Sequence, residues 1–148
     1  KKCFLVRVYE DNAGKWQGGY CINKEVSLRY FEPFDETLKK RILKDKNLLE
    51  NEIVEISQIW MNREVLLDEA NRMNIYLSSV ASALDTKKNI IIGGSKVAGV
   101  WKSYELIMPH ELFFGLVPFS TGYELGKIVY TTYQELTKTL EKYKTHYN

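Results

Sequence analysis

The chain has 148 residues, of which 45% are hydrophobic, 27% charged and 13% aromatic, and its formal net charge is +2. This length predicts a single domain spanning residues 1–148, and the apolar share excludes a disordered or collagen-like chain. No apolar run approaches the roughly 18 residues that a membrane-spanning helix needs. The balanced charge gives no strong electrostatic argument for nucleic acid or for an anionic membrane.

Residues 2–26 have the pattern of a β-hairpin. Residues 2–10 alternate along a strand, residues 11–14 form a turn, and residues 19–26 return as a second strand, with Gly18 and Gly19 as the place for a bulge. Such a hairpin would bring Cys3 and Cys21 close together. The two thiols would be free and buried in a reducing cytosol, and they could bridge in an oxidising compartment.

Helical patterns follow from Pro33 to Leu84. Asp35 is expected to cap a first helix, and Glu36 suits its positive end. Residues 52–61 fit either a helix or a strand, and we favour a helix because no helix-breaking residue separates them from the next segment. The clearest element is a helix over 62–84, laid on a sheet, because its apolar residues recur at intervals of three and four. This stripe consists of Leu66, Ala70, Met73, Leu77, Val80 and Leu84.

The composition becomes β-type after Asp85. We expect a strand over 89–92, a turn over 93–95, a strand over 97–107, an edge strand or packed loop over 111–119, a turn over 122–126 and a strand over 127–131. Thr132 and Glu135 have the spacing of a capping box and predict a final helix. The fold class is therefore α+β, a mainly antiparallel sheet of about five strands with helices packed on it.

No motif for a metal, a cofactor or a catalytic reaction stands out. The segment 93–99 resembles a phosphate-binding loop, but the pattern after Gly99 is that of a strand, whereas such a loop leads into a helix, so we favour a hairpin turn. Neither His110 nor His146 has a metal-ligand partner at helical spacing. His110 could act with Glu111 or with a cysteine, although both cysteines lie in predicted strands. We therefore expect no catalytic residues, no cofactor and no metal.

Aromatic residues leave two binding hypotheses open. A sheet with exposed aromatic and basic side chains can stack the bases of single-stranded nucleic acid. Tyrosine and tryptophan are also the residues that anchor protein interfaces. The aromatic residues concerned are Trp16, Tyr20, Trp101, Tyr104 and Tyr130, with Lys15, Lys102 and Lys127 nearby.

The chain resembles the small immunity proteins of bacterial toxin systems, especially those of contact-dependent growth inhibition. The resemblance rests on the size, on the strand-rich α+β pattern and on the ending in strand, turn and capped helix (GKIVYTTYQELTKTLEKY). It implies a non-enzymatic, cytoplasmic protein that takes part in bacterial competition by binding a toxin domain, such as a nuclease, and occluding its active site.

An acidic segment would supply the contact with a basic toxin. Residues 50–69 carry six acidic side chains against Arg63 alone. Such a run is either a solvated helix face or a surface for a basic partner. The residues expected to bind the partner are Glu52, Glu55, Glu64, Asp68 and Glu69.

Overall fold

The computed structural model describes residues 4–147. The strands are β1 (Leu5–Glu10), β2 (Trp16–Asn23), β3 (Ile53–Met61), β4 (Ile90–Ser95), β5 (His110–Phe119) and β6 (Gly122–Thr132). The helices are α1 (Glu36–Asp45), α2 (Arg63–Leu67), α3 (Glu69–Leu84), α4 (Ala98–Glu105) and α5 (Tyr133–Tyr147). Short 3₁₀ turns cover Arg29–Phe31 and Glu50–Glu52. No helix in this range is long and apolar enough to cross a membrane.

The described strands form one six-stranded sheet in the order β1-β2-β3-β4-β6-β5. Strands β3 and β4 run parallel, and the other neighbouring pairs are antiparallel. The predicted α+β class and the mainly antiparallel sheet are confirmed, with one strand more than expected. A parallel pair needs a crossover connection, and α2 and α3 supply it between β3 and β4.

The sheet separates two apolar cores. One core packs α3, α4 and α5 against one face, through residues such as Ile56, Val80, Tyr104 and Leu136. The other packs the Arg29–Phe31 turn and α1 against the opposite face, and includes Ile53, Phe31 and Ile92. Consecutive residues of β3 and β4 therefore contribute to different cores, because side chains alternate across a strand.

The N-terminal hairpin is confirmed within the described residues. The amide of Asp11 donates to the carbonyl of Lys15, and Gly14 has φ +78°, which favours glycine. The register between β1 and β2 shifts after Tyr9, which places the bulge at Gln17, just before the predicted glycines. Cys3 lies outside the described residues, so the predicted proximity of the two thiols stays a prediction.

Both predicted helix caps are confirmed. The Asp35 carboxylate accepts a hydrogen bond from the Leu38 amide at 2.7 Å. The Glu135 amide donates to the Thr132 hydroxyl at 3.2 Å, and the Thr132 amide donates to the Glu135 carboxylate at 3.1 Å. This reciprocal pair is a capping box.

The prediction of a helix over residues 52–61 is wrong, because Ile53–Met61 is strand β3. The first part of β3 is buried on both faces, so its apolar residues form a continuous run without the alternation of a half-exposed strand. A short run of this kind cannot be assigned by periodicity alone.

The predicted turn over 93–95 and the strand over 97–107 are also wrong. Gly93 and Gly94 lie inside β4, and Ala98–Glu105 is helix α4. The predicted turn over 122–126 is wrong too, because β6 already begins at Gly122. The β-branched and aromatic residues of α4 favour a strand locally, but packing of Tyr104 against β4 overrides that preference. Strand β5 does form the sheet edge, as expected.

The helix predicted over 62–84 is two helices that meet at Asp68, whose carboxylate caps α3 through the Asn71 amide. Helix α3 packs on the sheet as expected, but mainly through a neighbouring set of residues: Ile75, Tyr76, Ser79, Val80 and Ala83. Of the predicted stripe, Val80 is fully buried in this core and Met73 and Leu84 pack against it, whereas Leu66 and Ala70 are exposed. A groove lies between α3 and α5. Its α3 wall includes five residues that belong to the stripe or lie next to it: Ala70, Met73, Leu77, Ala81 and Leu84.

Candidate functional site

A gap opens in the centre of the sheet between the parallel strands β3 and β4. Their pairing runs from Ile53 opposite Ile90 to Glu55 opposite Ile92 and then ends. Both strands continue, β3 to Met61 and β4 to Ser95. The facing backbone groups beyond the last pair are therefore available to something other than the neighbouring strand. We call this space the β3–β4 gap.

A bulge in β3 lies beside the β3–β4 gap. Opposite β2, Cys21 pairs with Ser57 but Gly19 pairs with Trp60, so β3 carries one extra residue here. Gln58 lies within the bulge and has φ +52°. The Cys21 thiol donates to the Gln58 side-chain oxygen at 3.1 Å. A bulge bends a strand and increases its twist, which suits the divergence of β3 from β4.

The hydroxyl of Tyr30 bridges the β3–β4 gap. Its oxygen lies 2.5 Å from the Ile56 carbonyl oxygen on β3 and 3.0 Å from the Gly94 carbonyl oxygen on β4. It also accepts a hydrogen bond from the Gly94 amide at 3.0 Å. Burial is the main reason that the pKa of this hydroxyl is far above its ordinary value, and the nearby Glu55 adds to the effect. Tyr30 is therefore neutral and acts as a hydrogen-bonding bridge.

The carboxylate of Glu55 holds the Tyr30 turn, which is the 3₁₀ turn Arg29–Phe31. Glu55 is fully buried and accepts hydrogen bonds from the amides of Arg29 at 2.7 Å and Tyr30 at 3.1 Å, and from the Asn23 side chain at 3.0 Å. Burial raises the pKa of Glu55, and these three donors oppose that effect. Phe31 is buried in the core beside the turn, so both polar and apolar contacts fix its backbone.

Tyr104 approaches β4 from the opposite face of the sheet. Its ring packs on Gly93 so closely that a methyl group there would lie 2.9 Å from a ring carbon. The Tyr104 hydroxyl is buried and has no hydrogen-bonding partner among the described residues. Burial raises its pKa well above the ordinary value, with smaller contributions from Tyr30 and Tyr76. A buried hydroxyl without a partner is costly and needs an explanation.

A cavity of about 580 Å³ lies on the Tyr30 side of the sheet. Its wall combines apolar side chains with the bulge residue Gln58 and three basic residues, Arg29, Lys96 and Lys127, and no aspartate or glutamate lines it. The lining residues include Tyr30, Phe34, Gln58, Val117, Phe119 and Ile128. Mixed walls of this kind are typical of small-molecule sites.

The carboxyl ends of β3 and β4 lie at the same end of the sheet, because the strands are parallel. Helix α4 begins just beyond β4, two residues after Lys96, and no side chain caps its first turn. Helix α3, in contrast, begins with Asp68 and Glu69. Anionic groups are favoured at free helix N-termini and disfavoured beside carboxylates. The start of α4 therefore fits a phosphate group better than the start of α3.

The five acidic residues predicted to bind a partner do not form one surface. Glu55 is fully buried, and its carboxylate accepts hydrogen bonds from the backbone of the Tyr30 turn. The prediction that Glu55 lies on a contact surface is therefore wrong. Glu52 is half-buried, while Glu64, Asp68 and Glu69 are exposed on α2, at its end and at the start of α3. A partner-binding role for these four residues stays a prediction.

His110 is oriented by a carboxylate other than the expected one. Its Nε2 lies 2.9 Å and 3.0 Å from the two carboxylate oxygens of Glu135, not beside Glu111. The hydrogen bond from His110 is the largest cause of the lowered pKa of Glu135. Cys21 bonds Gln58, so the contacts do not support the alternative of a Cys21–His110 pair.

The aromatic residues proposed as a base-stacking surface are divided among separate places. Tyr20 and Tyr104 are buried, and Trp101 and Tyr104 belong to α4 and not to a strand. Trp16 is exposed near Trp60, with ring centroids 6.4 Å apart. The expected continuous aromatic sheet face is therefore not present in these residues.

No group of three or more potential ligand side chains that could hold a metal ion occurs between residues 4 and 147. No model of a known protein family and no curated protein matches the sequence.

Solved structures, however, show the same fold. FeeM, an N-acyl amino acid synthase from uncultured soil microbes, has a TM-score of 0.62 at 12% identity, covering 87% of this chain and 72% of that chain. The CoA-dependent acyl-homoserine lactone synthase BjaI has a TM-score of 0.59 at 12% identity, covering 93% and 63%. An N-acetyltransferase from Staphylococcus aureus Mu50 has a TM-score of 0.54 at 8% identity, covering 86% and 67%.

The chain has the fold of these three proteins. Because the similar structures are acetyltransferases and acyl-homoserine lactone synthases, the resemblance to toxin-immunity proteins is wrong. The predictions of a non-enzymatic inhibitor and of a toxin partner are wrong for the same reason. The chain spans less than two thirds of the length of BjaI.

Sequence reasoning missed the centre of this site. It did not consider Tyr30, and it included Tyr104 only as a strand aromatic. One signal was available, because two consecutive glycines after a buried apolar strand often mark the close approach of another group. Here Tyr104 approaches Gly93, and Tyr30 approaches Gly94.

Proposed function

We propose that this chain is an acyltransferase that takes its acyl group from an acyl thioester such as acyl-CoA. The observation that carries the proposal is the β3–β4 gap. It lies in a fold that the chain shares with enzymes of this class. The small-molecule substrate would replace the toxin partner expected from the sequence. A cytoplasmic location, where acyl-CoA is made and used, is part of the same proposal.

The β3–β4 gap suits an extended substrate arm. The facing edges of two diverging strands present carbonyl and amide groups, which an extended chain can bond as a further strand would. An arm in the gap would have Tyr104 on one side of the sheet and the 580 Å³ cavity on the other. The start of α4, close to Lys96, would receive the phosphate end of such a substrate.

The transfer itself needs little from the protein beyond orientation and charge stabilisation. The nitrogen or oxygen of the acceptor attacks the thioester carbonyl, the carbon–sulfur bond breaks, and the thiol leaves with the proton that the acceptor gives up. Tyr104 is protonated at neutral pH, burial raises its pKa further, and its hydroxyl has no partner within the described chain. It is therefore suited to donate a hydrogen bond to negative charge that develops in the gap.

The test is release of free thiol from acyl-CoA of graded chain length, with amine and amino-acid acceptors, by the purified protein. We expect acceptor-dependent thiol release and loss of about 10²–10³-fold in rate for Tyr104→Phe, as for removal of one hydrogen-bond donor to developing charge.

Tyr123→Phe is the matched control, because Tyr123 is exposed on the β5–β6 hairpin and does not line the cavity. This variant should keep the rate of the unmodified protein. If no acyl-CoA binds in calorimetry and no thiol is released, the proposed function is wrong. If Tyr104→Phe is as fast as Tyr123→Phe, Tyr104 has no part in the reaction.

A further inference from the structure

We propose that Tyr30 is a displaceable plug, and that the acyl-thioester substrate takes the place of its hydroxyl in the β3–β4 gap. The inference rests on the proposed function and concerns the same site. The two edges of the gap meet the Tyr30 hydroxyl at 2.5 Å and 3.0 Å, so a substrate arm cannot lie between these backbone groups while the hydroxyl is there.

The hydrogen bonds identify the kind of group that replaces Tyr30. The gap offers two acceptors, the carbonyls of Ile56 and Gly94, and one donor, the Gly94 amide. A tyrosine hydroxyl has one proton and two lone pairs, so it satisfies the donor and one acceptor at a time. An amide group satisfies the same pair with its own N–H and C=O. The replacing ligand is therefore an extended chain that carries an amide.

The side chain moves while the backbone stays. Glu55 accepts hydrogen bonds from the amides of Arg29 and Tyr30, and Leu28 and Phe31 are buried on either side, so the turn is held independently of the hydroxyl. The cavity of about 580 Å³ is lined by the Tyr30 side chain itself and provides the space into which the ring rotates. Only the torsions of one side chain have to change, and such changes are fast compared with enzyme turnover.

The first experiment measures acyl-CoA affinity by calorimetry for the unmodified protein and for Tyr30→Phe. The phenylalanine ring keeps the shape but loses the hydrogen bonds that hold the plug in the gap. Because the net contribution of such a bond is modest, we expect the dissociation constant to fall about two- to tenfold. Tyr130→Phe is the control, since Tyr130 packs beside the same core from β6 and its ring lies against His110. Its dissociation constant should not change.

The second experiment follows the ring directly. In protein labelled with 3-fluorotyrosine, the fluorine resonance of Tyr30 is assigned by its absence from Tyr30→Phe. Saturating acyl-CoA should move this resonance, while hydrogen exchange of the Arg29 and Tyr30 amides stays slow. A ligand that moves the resonance and also releases these amides overturns the side-chain mechanism.

The outcomes separate the two proposals. Equal or weaker binding by Tyr30→Phe, with acyl-CoA still bound by the unmodified protein, overturns the plug and leaves the proposed function standing. Absence of acyl-CoA binding in the unmodified protein and in both Tyr30→Phe and Tyr30→Ala overturns the proposed function, and the ligand-displaced plug with it. Binding by Tyr30→Ala alone overturns the ligand-displaced plug, because acyl-CoA then does not take the place of the Tyr30 hydroxyl.

Discussion

Two adjacent glycines in β4 show how single residues shape this site. A methyl group at Gly94 would lie 2.5 Å from the Lys127 carbonyl oxygen, and a methyl group at Gly93 would meet the Tyr104 ring. Backbone cannot move aside as a side chain can, so Gly94 is the less tolerant position. The pair therefore allows β6, Tyr30 and Tyr104 to approach β4 closely.

We expect Gly94→Ala to lower the free energy of unfolding by about 1–3 kcal/mol, the usual cost of forcing atoms into a packed interior. Gly99→Ala is the control, because nothing lies within 4 Å of a methyl group at that position in α4. Alanine there should stabilise the helix by up to about 1 kcal/mol. Urea denaturation of both variants checks this, and equal stability of the two would contradict the packing argument.

Glu55 should make stability depend on pH. Because burial raises its pKa, the folded protein binds a proton at Glu55 more readily than the unfolded chain does. Its contribution to the free energy of unfolding is therefore greatest below the ordinary carboxyl pKa and falls as the pH rises through the raised value. Glu55→Gln should remove this part of the slope, measured by urea denaturation from pH 4 to 8.

At the scale of elements, local signals located the hairpin and the caps, and tertiary contacts decided the rest. Helix starts can be predicted at Asp35 and at the pair Thr132 and Glu135. These side chains bond to backbone amides or to each other's amides within three residues, so the signal is local. Strand β3 is buried on both faces and has no diagnostic period. Helix α4 lacks a side-chain cap and is rich in strand-type residues, so only its packing explains it.

The candidate site could not be predicted from the sequence, because it too depends on tertiary contacts. The β3–β4 gap depends on where strand pairing ends, and pairing between segments this far apart in the chain leaves no local pattern. The Tyr30 turn is held by Glu55, whose role could not be separated from that of the neighbouring acidic residues before its burial was known.

The capping box of α5 gives a prediction about an element. Thr132→Ala removes the hydroxyl that accepts from the Glu135 amide, and it should lower the free energy of unfolding by about 1 kcal/mol. Thr121→Ala, at the exposed β5–β6 turn, should change it by much less. Thermal unfolding followed by circular dichroism checks both, and equal losses would contradict a specific cap.

At the scale of the whole molecule, β3 and β4 contribute to both cores. Ile53 and Ile92 belong to one core, and Val54, Ile56 and Ile91 to the other. Neither core can lose its contacts with the sheet without affecting the other. The single domain expected from the chain length stays a prediction, which an unfolding measurement tests.

We therefore expect one cooperative unfolding transition. Tryptophan fluorescence reports on Trp16 and Trp60 at one side of the sheet and on Trp101 in α4. In urea, its midpoint should coincide with that of far-ultraviolet circular dichroism. In Trp101→Phe, the fluorescence reports on Trp16 and Trp60 alone. Its unfolding midpoint should still coincide with the midpoint from circular dichroism. Two separated midpoints would show that the cores unfold independently.

The parallel pairing of β3 with β4 also has a kinetic consequence. Val54 meets Ile91 only after the intervening segment, with α2 and α3, has folded back across the sheet. Closing so long a segment costs chain entropy before the contacts compensate for it, so refolding should be slower than for a helical bundle of this size. The nascent chain would then expose the unpaired edge of β3 until β4 arrives, and that interval is when association with other unfolded chains competes with folding.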